Sequence, residues 1–188
     1  MKIASWNVNG IRARIDHVVA WIKDNQPDVL ALQETKVVDE LFPYDAFETL
    51  SYSVEAFGQK SYNGVANIIK NGSAKTSKGI KGFDDPQTRV VSTTHEDIRV
   101  VNVYVPNGQT VGSEKFAYKL DWLDHLKKML NDDLKKYLSK KTKNLVLPLL
   151  RRVDNNNIIE HAAIVRALDL RNLKDKSIGK EIAKYLQQ

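Results

Sequence analysis

The sequence predicts a layered α/β fold, and three stretches predict it. Lys2-Ile3-Ala4-Ser5-Trp6-Asn7 alternates apolar and polar side chains and breaks at Asn9-Gly10, which is the pattern of a short strand ending in a turn. Asp28-Val29-Leu30-Ala31-Leu32-Gln33 is a near-continuous apolar run, as expected of a strand buried on both faces. Between them, the spacing predicts an amphipathic helix over Ile15–Asp24.

The remaining elements follow in order. Short strands are expected near Tyr52–Phe57, Gly64–Ile69, Arg89–Thr94 and Ile98–Tyr104, punctuated by turns at Asn63-Gly64, Asn71-Gly72 and Gly79. His95-Glu96-Asp97 separates the last two, which suggests a hairpin. A long helix should run from Ser113 to Leu138, where Phe116, Leu120, Leu123, Leu126, Leu130, Leu134 and Leu138 recur at helical spacing. Asn144–Leu147 reads as a further buried strand. Beyond it, Asn157 could cap a helix through Arg171, with Ile158, Ile159, Ala162, Val165 and Leu168 as its apolar stripe. A second helix is expected over Ile178–Leu186, capped by Ser177. The expected organisation is therefore residues 1–147 as one α/β unit and 148–188 as a basic helical tail.

Composition narrows the function. The 188 residues are enough for one domain with a buried core. There is no cysteine, which excludes a disulfide framework and a cysteine zinc site. No run is long and apolar enough for a membrane span, and the N-terminus enters a strand directly instead of a signal-peptide layout. The expectation is a soluble, cytoplasmic protein with no membrane partner. Acidic and basic residues balance over 1–130, so the whole net charge of +6 falls in 131–188. Such a segment either holds phosphates or is simply a solvated lysine-rich face.

Chemistry is expected where polar residues end adjacent buried strands. Asn7 and Glu34 occupy such positions, and a carboxylate with an amide oxygen beside it suits a hard cation such as Mg2+. The four histidines, His17, His95, His125 and His161, read as surface or packing residues.

Three blocks in order carry a resemblance. Trp6-Asn7-Val8-Asn9-Gly10-Ile11-Arg12-Ala13-Arg14, Pro27-Asp28-Val29-Leu30-Ala31-Leu32-Gln33-Glu34-Thr35-Lys36 and Tyr104-Val105-Pro106-Asn107-Gly108 resemble the exonuclease III / AP endonuclease family. Ser61-Tyr62-Asn63-Gly64-Val65-Ala66 also matches. The resemblance implies a DNase I-like α/β sandwich and Mg2+- or Mn2+-assisted phosphodiester hydrolysis, at abasic sites in double-stranded DNA or from a 3′ end. It implies that Glu34 binds the metal, that Asn7 supports it, and that Tyr104 contacts the scissile phosphate. Asn9, Arg12, Tyr62 and Asn107 match residues beside the DNA.

The resemblance stops at Pro148. The family strand matching Asn144–Leu147 leads into Gly-Asp-x-Asn, followed later by a closing Ser-Asp-His. Here it leads into Pro148-Leu149-Leu150-Arg151-Arg152, and neither motif occurs. The expectation is a nuclease impaired by a missing second half. The other reading is a non-catalytic DNA-binding or interaction fragment of the same fold. An incomplete sandwich should also leave a sheet face bare, to be covered by the tail, a protein partner or a second copy.

Overall fold

The computed structural model describes residues 1–72, 74–95, 98–138, 145–148 and 163–169. Two sheets form its core. Strands β1 (Ile3–Asn7), β2 (Val29–Gln33), β3 (Tyr52–Phe57) and β4 (Val65–Lys70) make a four-stranded sheet in the order β1-β2-β4-β3. Strands β5 (Lys75–Lys78), β6 (Val90–His95), β7 (Ile98–Tyr104), β8 (Leu145–Pro148) and β9 (Ala163–Asp169) make a five-stranded sheet in the order β5-β6-β7-β9-β8. Helix α1 (Ile15–Asn25), the single turn α2 (Asp45–Glu48) and the long α3 (Glu114–Leu138) connect them. No helix of the described residues is long and apolar enough to cross a membrane.

The parallel pairing of β1 with β2 needs a crossover, and α1 supplies it. Val18 and Ile22 of α1 are buried on the outer face of the first sheet, with Leu30, Leu32, Phe47 and Ile68. On the outer face of the second sheet, Trp122, Leu126 and Met129 of α3 pack with Val90, Val101 and Val103. Between the sheets lie Val29, Ala31, Ile69, Ile98 and Val100. All five residues of β2 are therefore buried, which explains its unbroken apolar run.

A polar seam also crosses between the sheets. The Asn102 amide nitrogen donates to the carbonyls of Leu32 (2.9 Å) and Ala66 (3.0 Å), and its oxygen accepts from Gln33 Nε2 (2.8 Å). Both side chains are fully buried. This amide spans strands of both sheets and adds directional bonds to two backbone oxygens of the β2–β4 ladder.

Several expectations are corrected. The helix expected over Asn157–Arg171 is not formed, because Ala163–Asp169 is strand β9, antiparallel to β7 with Ala163 opposite Tyr104. The apolar spacing there fits a helix, but the free edge of β7 offers a ladder of backbone partners, and Ile164-Val165 is β-branched. Residues 157–162 and the helix expected at 178–186 lie outside the described residues. Between the described strands the two sheets face each other across Val29, Ala31, Ile69, Ile98 and Val100. Strand β5 went unread because Lys-Thr-Ser-Lys carries no apolar signal, and it lies at the edge of its sheet.

The seam gives a test. Asn102→Ala removes three buried hydrogen bonds that tie the two sheets together, at about 1 kcal/mol each, so it should cost about 3 kcal/mol. Asn102→Asp should be at least as damaging, since an acceptor then faces two acceptors. Urea unfolding measures both, and an unchanged midpoint would show that the seam contributes nothing.

Candidate active site

Glu34 sits one residue beyond β2, is only 7% exposed, and has a left-handed backbone (φ 54°). That conformation is unfavourable for a side chain of this kind and turns the chain sharply at the sheet edge. Backbone bonds hold it there. Gly10 N donates to Glu34 O (2.7 Å), Ile11 N to Thr35 O (3.1 Å), Thr35 N to Gly64 O (3.1 Å) and Lys36 N to Asn63 O (3.0 Å). Gly64 is required at this crossing, because its φ is +88° and an added Cβ would lie 2.1 Å from Thr35 Oγ1.

Three side chains converge on the carboxylate. Asn7, the last residue of β1, donates from Nδ2 to Glu34 Oε1 at 2.8 Å. Tyr104, the last residue of β7, donates from its hydroxyl to the same oxygen at 2.9 Å. Lys36 Nζ lies 3.0 Å from Oε2. The expected trio Asn7, Glu34 and Tyr104 is thus brought together, from strands of both sheets. Burial of the Glu34 carboxyl raises its pKa, but the donors Asn7, Lys36 and Tyr104, with the charge of Lys36, outweigh this and hold it below the ordinary 4.5. The Tyr104 hydroxyl is pushed up to about 12 by burial first and by its bond to Glu34 next, so it remains a donor at neutral pH.

Asn9 is joined to this group. Its backbone nitrogen donates to Asn7 Oδ1 (3.1 Å) and its side-chain oxygen accepts from Lys36 Nζ. Arg14 Nη1 in turn donates to the Asn9 carbonyl (3.1 Å). Arg12, Tyr62 and Asn107 are exposed on the turns that follow or flank these strand ends. Tyr62 is 71% exposed, beside the Asn63-Gly64 turn that carries Thr35 and Lys36. Asn107 Oδ1 accepts from Gln109 N (2.8 Å), fixing the turn after Tyr104.

Two contributors went unread in the sequence. Lys36 lies inside a matched block, but nothing in its spacing announced a contact with Glu34. Arg89 is buried, lies 4.9 Å from the centre of the Tyr104 ring, and donates from Nη1 to the Tyr104 carbonyl (3.0 Å). Its Nε and Nη2 both donate to Gln87 Oε1, at 2.8 and 2.6 Å. A lone arginine before a strand carries no such signal.

The donor set can be judged for a metal. Glu34 offers one carboxylate and Asn7 one amide oxygen, both hard ligands. Among the described residues no group of three or more His, Cys, Asp or Glu converges. The set fits a Mg2+-type ion that keeps most of its water or takes phosphate oxygens, and does not fit a closed zinc site.

The Endonuclease/Exonuclease/phosphatase family matches residues 4–170, and the chain belongs to that family. The match continues beyond Leu147 and takes in β9. Exodeoxyribonuclease III of Haemophilus influenzae is 38% identical over 146 residues, which is 74% of this chain and 52% of that protein. A 3′ phosphatase from Neisseria, solved bound to a product DNA hairpin, superposes with a TM-score of 0.71 at 37% identity, over 79% of this chain and 56% of that one. An AP endonuclease from Archaeoglobus fulgidus gives 0.67 at 39%, over 70% and 51%. The chain spans about half the length of the curated relatives it matches. The fold is the DNase I-like α/β sandwich.

The lowered pKa of Glu34 has a direct consequence. A carboxyl held below 4.5 in the fold contributes stability that is full above that value and is lost as pH falls through the lower folded value. The stability difference between the protein and Glu34→Gln should therefore shrink as pH is lowered from neutrality through 4.5. Tyr104→Phe removes one donor, so the Glu34 carboxyl should titrate at higher pH. Carboxyl-carbon NMR reads this, and an unmoved titration would show that the phenol does not hold the carboxylate.

Proposed function

We propose that this chain carries the phosphate- and metal-binding half of an exonuclease III / AP endonuclease-type site acting on double-stranded DNA. The observation that supports this best is the convergence of Asn7, Tyr104 and Lys36 on one ionised, nearly buried carboxylate at the ends of β1, β2 and β7. In this reading Glu34 holds Mg2+ or Mn2+, and Asn7 fixes its orientation and lends an amide oxygen. When bound, the cation supplies charge stabilisation to a phosphate oxygen and to the leaving group. Tyr104, kept protonated, would turn its single O–H from Glu34 Oε1 to the phosphate, with Asn107 beside it. Asn9, Arg12 and Tyr62 place the DNA backbone along the exposed turns. The substrate is an abasic site or a 3′ end.

The described residues provide charge stabilisation and positioning, and no group of three or more His, Cys, Asp or Glu converges among them. Hydrolysis also requires a positioned water and a proton acceptor. We therefore infer weak cleavage by this chain, with DNA held chiefly through phosphates. His161 lies outside the described residues, two positions before Ala163, which pairs with Tyr104.

An abasic duplex incubated with the protein and Mg2+ should be cut slowly at most, and Glu34→Gln should remove whatever cleavage occurs. Robust cleavage that survives Glu34→Gln would overturn the site. Robust cleavage lost in both Glu34→Gln and His161→Ala would keep the site and overturn the inference of weak activity. Binding without any cleavage, unaltered by Glu34→Gln, would favour the non-catalytic DNA-binding reading.

A further inference from the structure

We infer that Lys36 is a built-in counter-ion that occupies the cation-binding edge of Glu34 and sets how tightly a divalent metal can bind there. The inference rests on the reading of Glu34 as the metal ligand. Lys36 Nζ lies 3.0 Å from Glu34 Oε2 and also donates to the Asn9 side-chain oxygen. These are hard oxygens, one carboxylate and one amide, of the kind a divalent cation takes. One ammonium therefore occupies Glu34 Oε2, the carboxylate oxygen a metal would take, and ties it to Asn9. Meanwhile Oε1 is occupied by the donors Asn7 and Tyr104.

The local backbone is shaped for this bridge. Asn9, Glu34 and Lys36 all have left-handed backbones, with φ of 45°, 54° and 55°. Bonds from Lys36 N to Asn63 O and from Gly10 N to Glu34 O pin the two turns that carry the ammonium and its acceptors. The lysine's own backbone is thus held, while its side chain is one-third exposed and the Glu34 side chain is 9% exposed. The lysine side chain thus meets more water than the carboxylate it covers. A metal entering at Oε2 must displace Lys36, which then swings outward on its flexible stem as a free cation at the mouth of the site. There it faces the same edge on which a phosphate would arrive. Lys36 is in this sense a positioning residue. Its charge keeps Glu34 ionised and aimed in the free protein, and repels a second cation until that charge moves away.

Mn2+ binding tests this without any need for cleavage. Free Mn2+ is followed by electron paramagnetic resonance during titration of the full chain at constant pH and ionic strength. Removing one positive charge a few ångströms from a divalent ion should tighten binding by roughly ten-fold, so Lys36→Met should bind Mn2+ about that much more tightly than the unaltered chain. Lys36→Gln, a second neutral replacement, should behave alike, and Lys36→Arg should not tighten binding. Thermal unfolding identifies which variants are folded, and the comparison uses those. Glu34→Gln should abolish binding in either background. If both neutral variants bind no tighter than the unaltered chain while Glu34→Gln still loses binding, the role of Lys36 is overturned and the metal assignment stands. If Glu34→Gln binds Mn2+ as well as the unaltered chain does, the metal assignment itself falls, and this inference falls with it. If no variant binds Mn2+, both are overturned.

Discussion

The buried amide of Asn102 is the interaction on which the site depends. It joins β7 to the carbonyls of Leu32 on β2 and Ala66 on β4, and it accepts from Gln33. Asn102 and Tyr104 are two residues apart on one strand, so their side chains share a face. Gln33 immediately precedes Glu34. A hydrogen bond between buried amides therefore sets the spacing of the two sheets one residue pair away from the place where Tyr104 must reach Glu34. Apolar packing between sheets is tolerant of small slides, because it has no direction. Hydrogen bonds to three fixed partners are not. The apolar layer of Val29, Ala31, Ile69, Ile98 and Val100 brings the sheets together, and the amide seam fixes where they stop.

This explains how a site can be assembled from segments far apart in the chain. Asn7 and Glu34 come from neighbouring parallel strands and need only the β1–β2 ladder, in which Asn7 is opposite Gln33. Tyr104 comes from the other sheet and arrives only if the layers are in register. Arg89 then steadies it from behind, with its guanidinium against the ring and one nitrogen on the Tyr104 carbonyl. The phenol is held on both sides, by a cation at its face and a carboxylate at its hydroxyl. A residue fixed in this way can donate without first losing rotamer freedom, which is the advantage of a preorganised site.

The legibility of the sequence follows the range of the interactions. Strand β2 was readable because five consecutive buried positions must be apolar or internally bonded, and Val-Leu-Ala-Leu-Gln meets that locally. Strand β9 was not, because its spacing of Ile, Val and Leu suits a helix, and pairing with β7, some sixty residues earlier, and with β8 selects the strand. At the site, Asn7 and Glu34 could be proposed from strand ends alone, but Tyr104 required the resemblance of its whole block. The ion pair of Lys36 with Glu34 has a spacing of two residues, which in a strand would place the side chains on one face and in a turn anywhere. Its meaning appears only with the left-handed backbone at both residues. Arg89 and Asn102 left no trace in the pattern, since both act through partners on other strands.

The clustering of left-handed residues at Asn9, Glu34 and Lys36 points the same way. Asparagine tolerates this conformation, but a glutamate and a lysine are each destabilised in it, by roughly 1 kcal/mol or more. Such strain persists only where the surroundings over-determine it. Here the surroundings are the bonds of Gly10 to Glu34, Ile11 to Thr35, Thr35 to Gly64 and Lys36 to Asn63, which lace three turns into one rim. A relaxed, extended Glu34 would continue β2 and point its carboxylate to one face of the sheet, away from the ends of β1 and β7. The turn instead brings a single carboxylate to the point where strands from both sheets finish. The strain is therefore the local cost of gathering Asn7, Lys36 and Tyr104 around one charge, and it is borne by a ladder and a seam built well inside the fold.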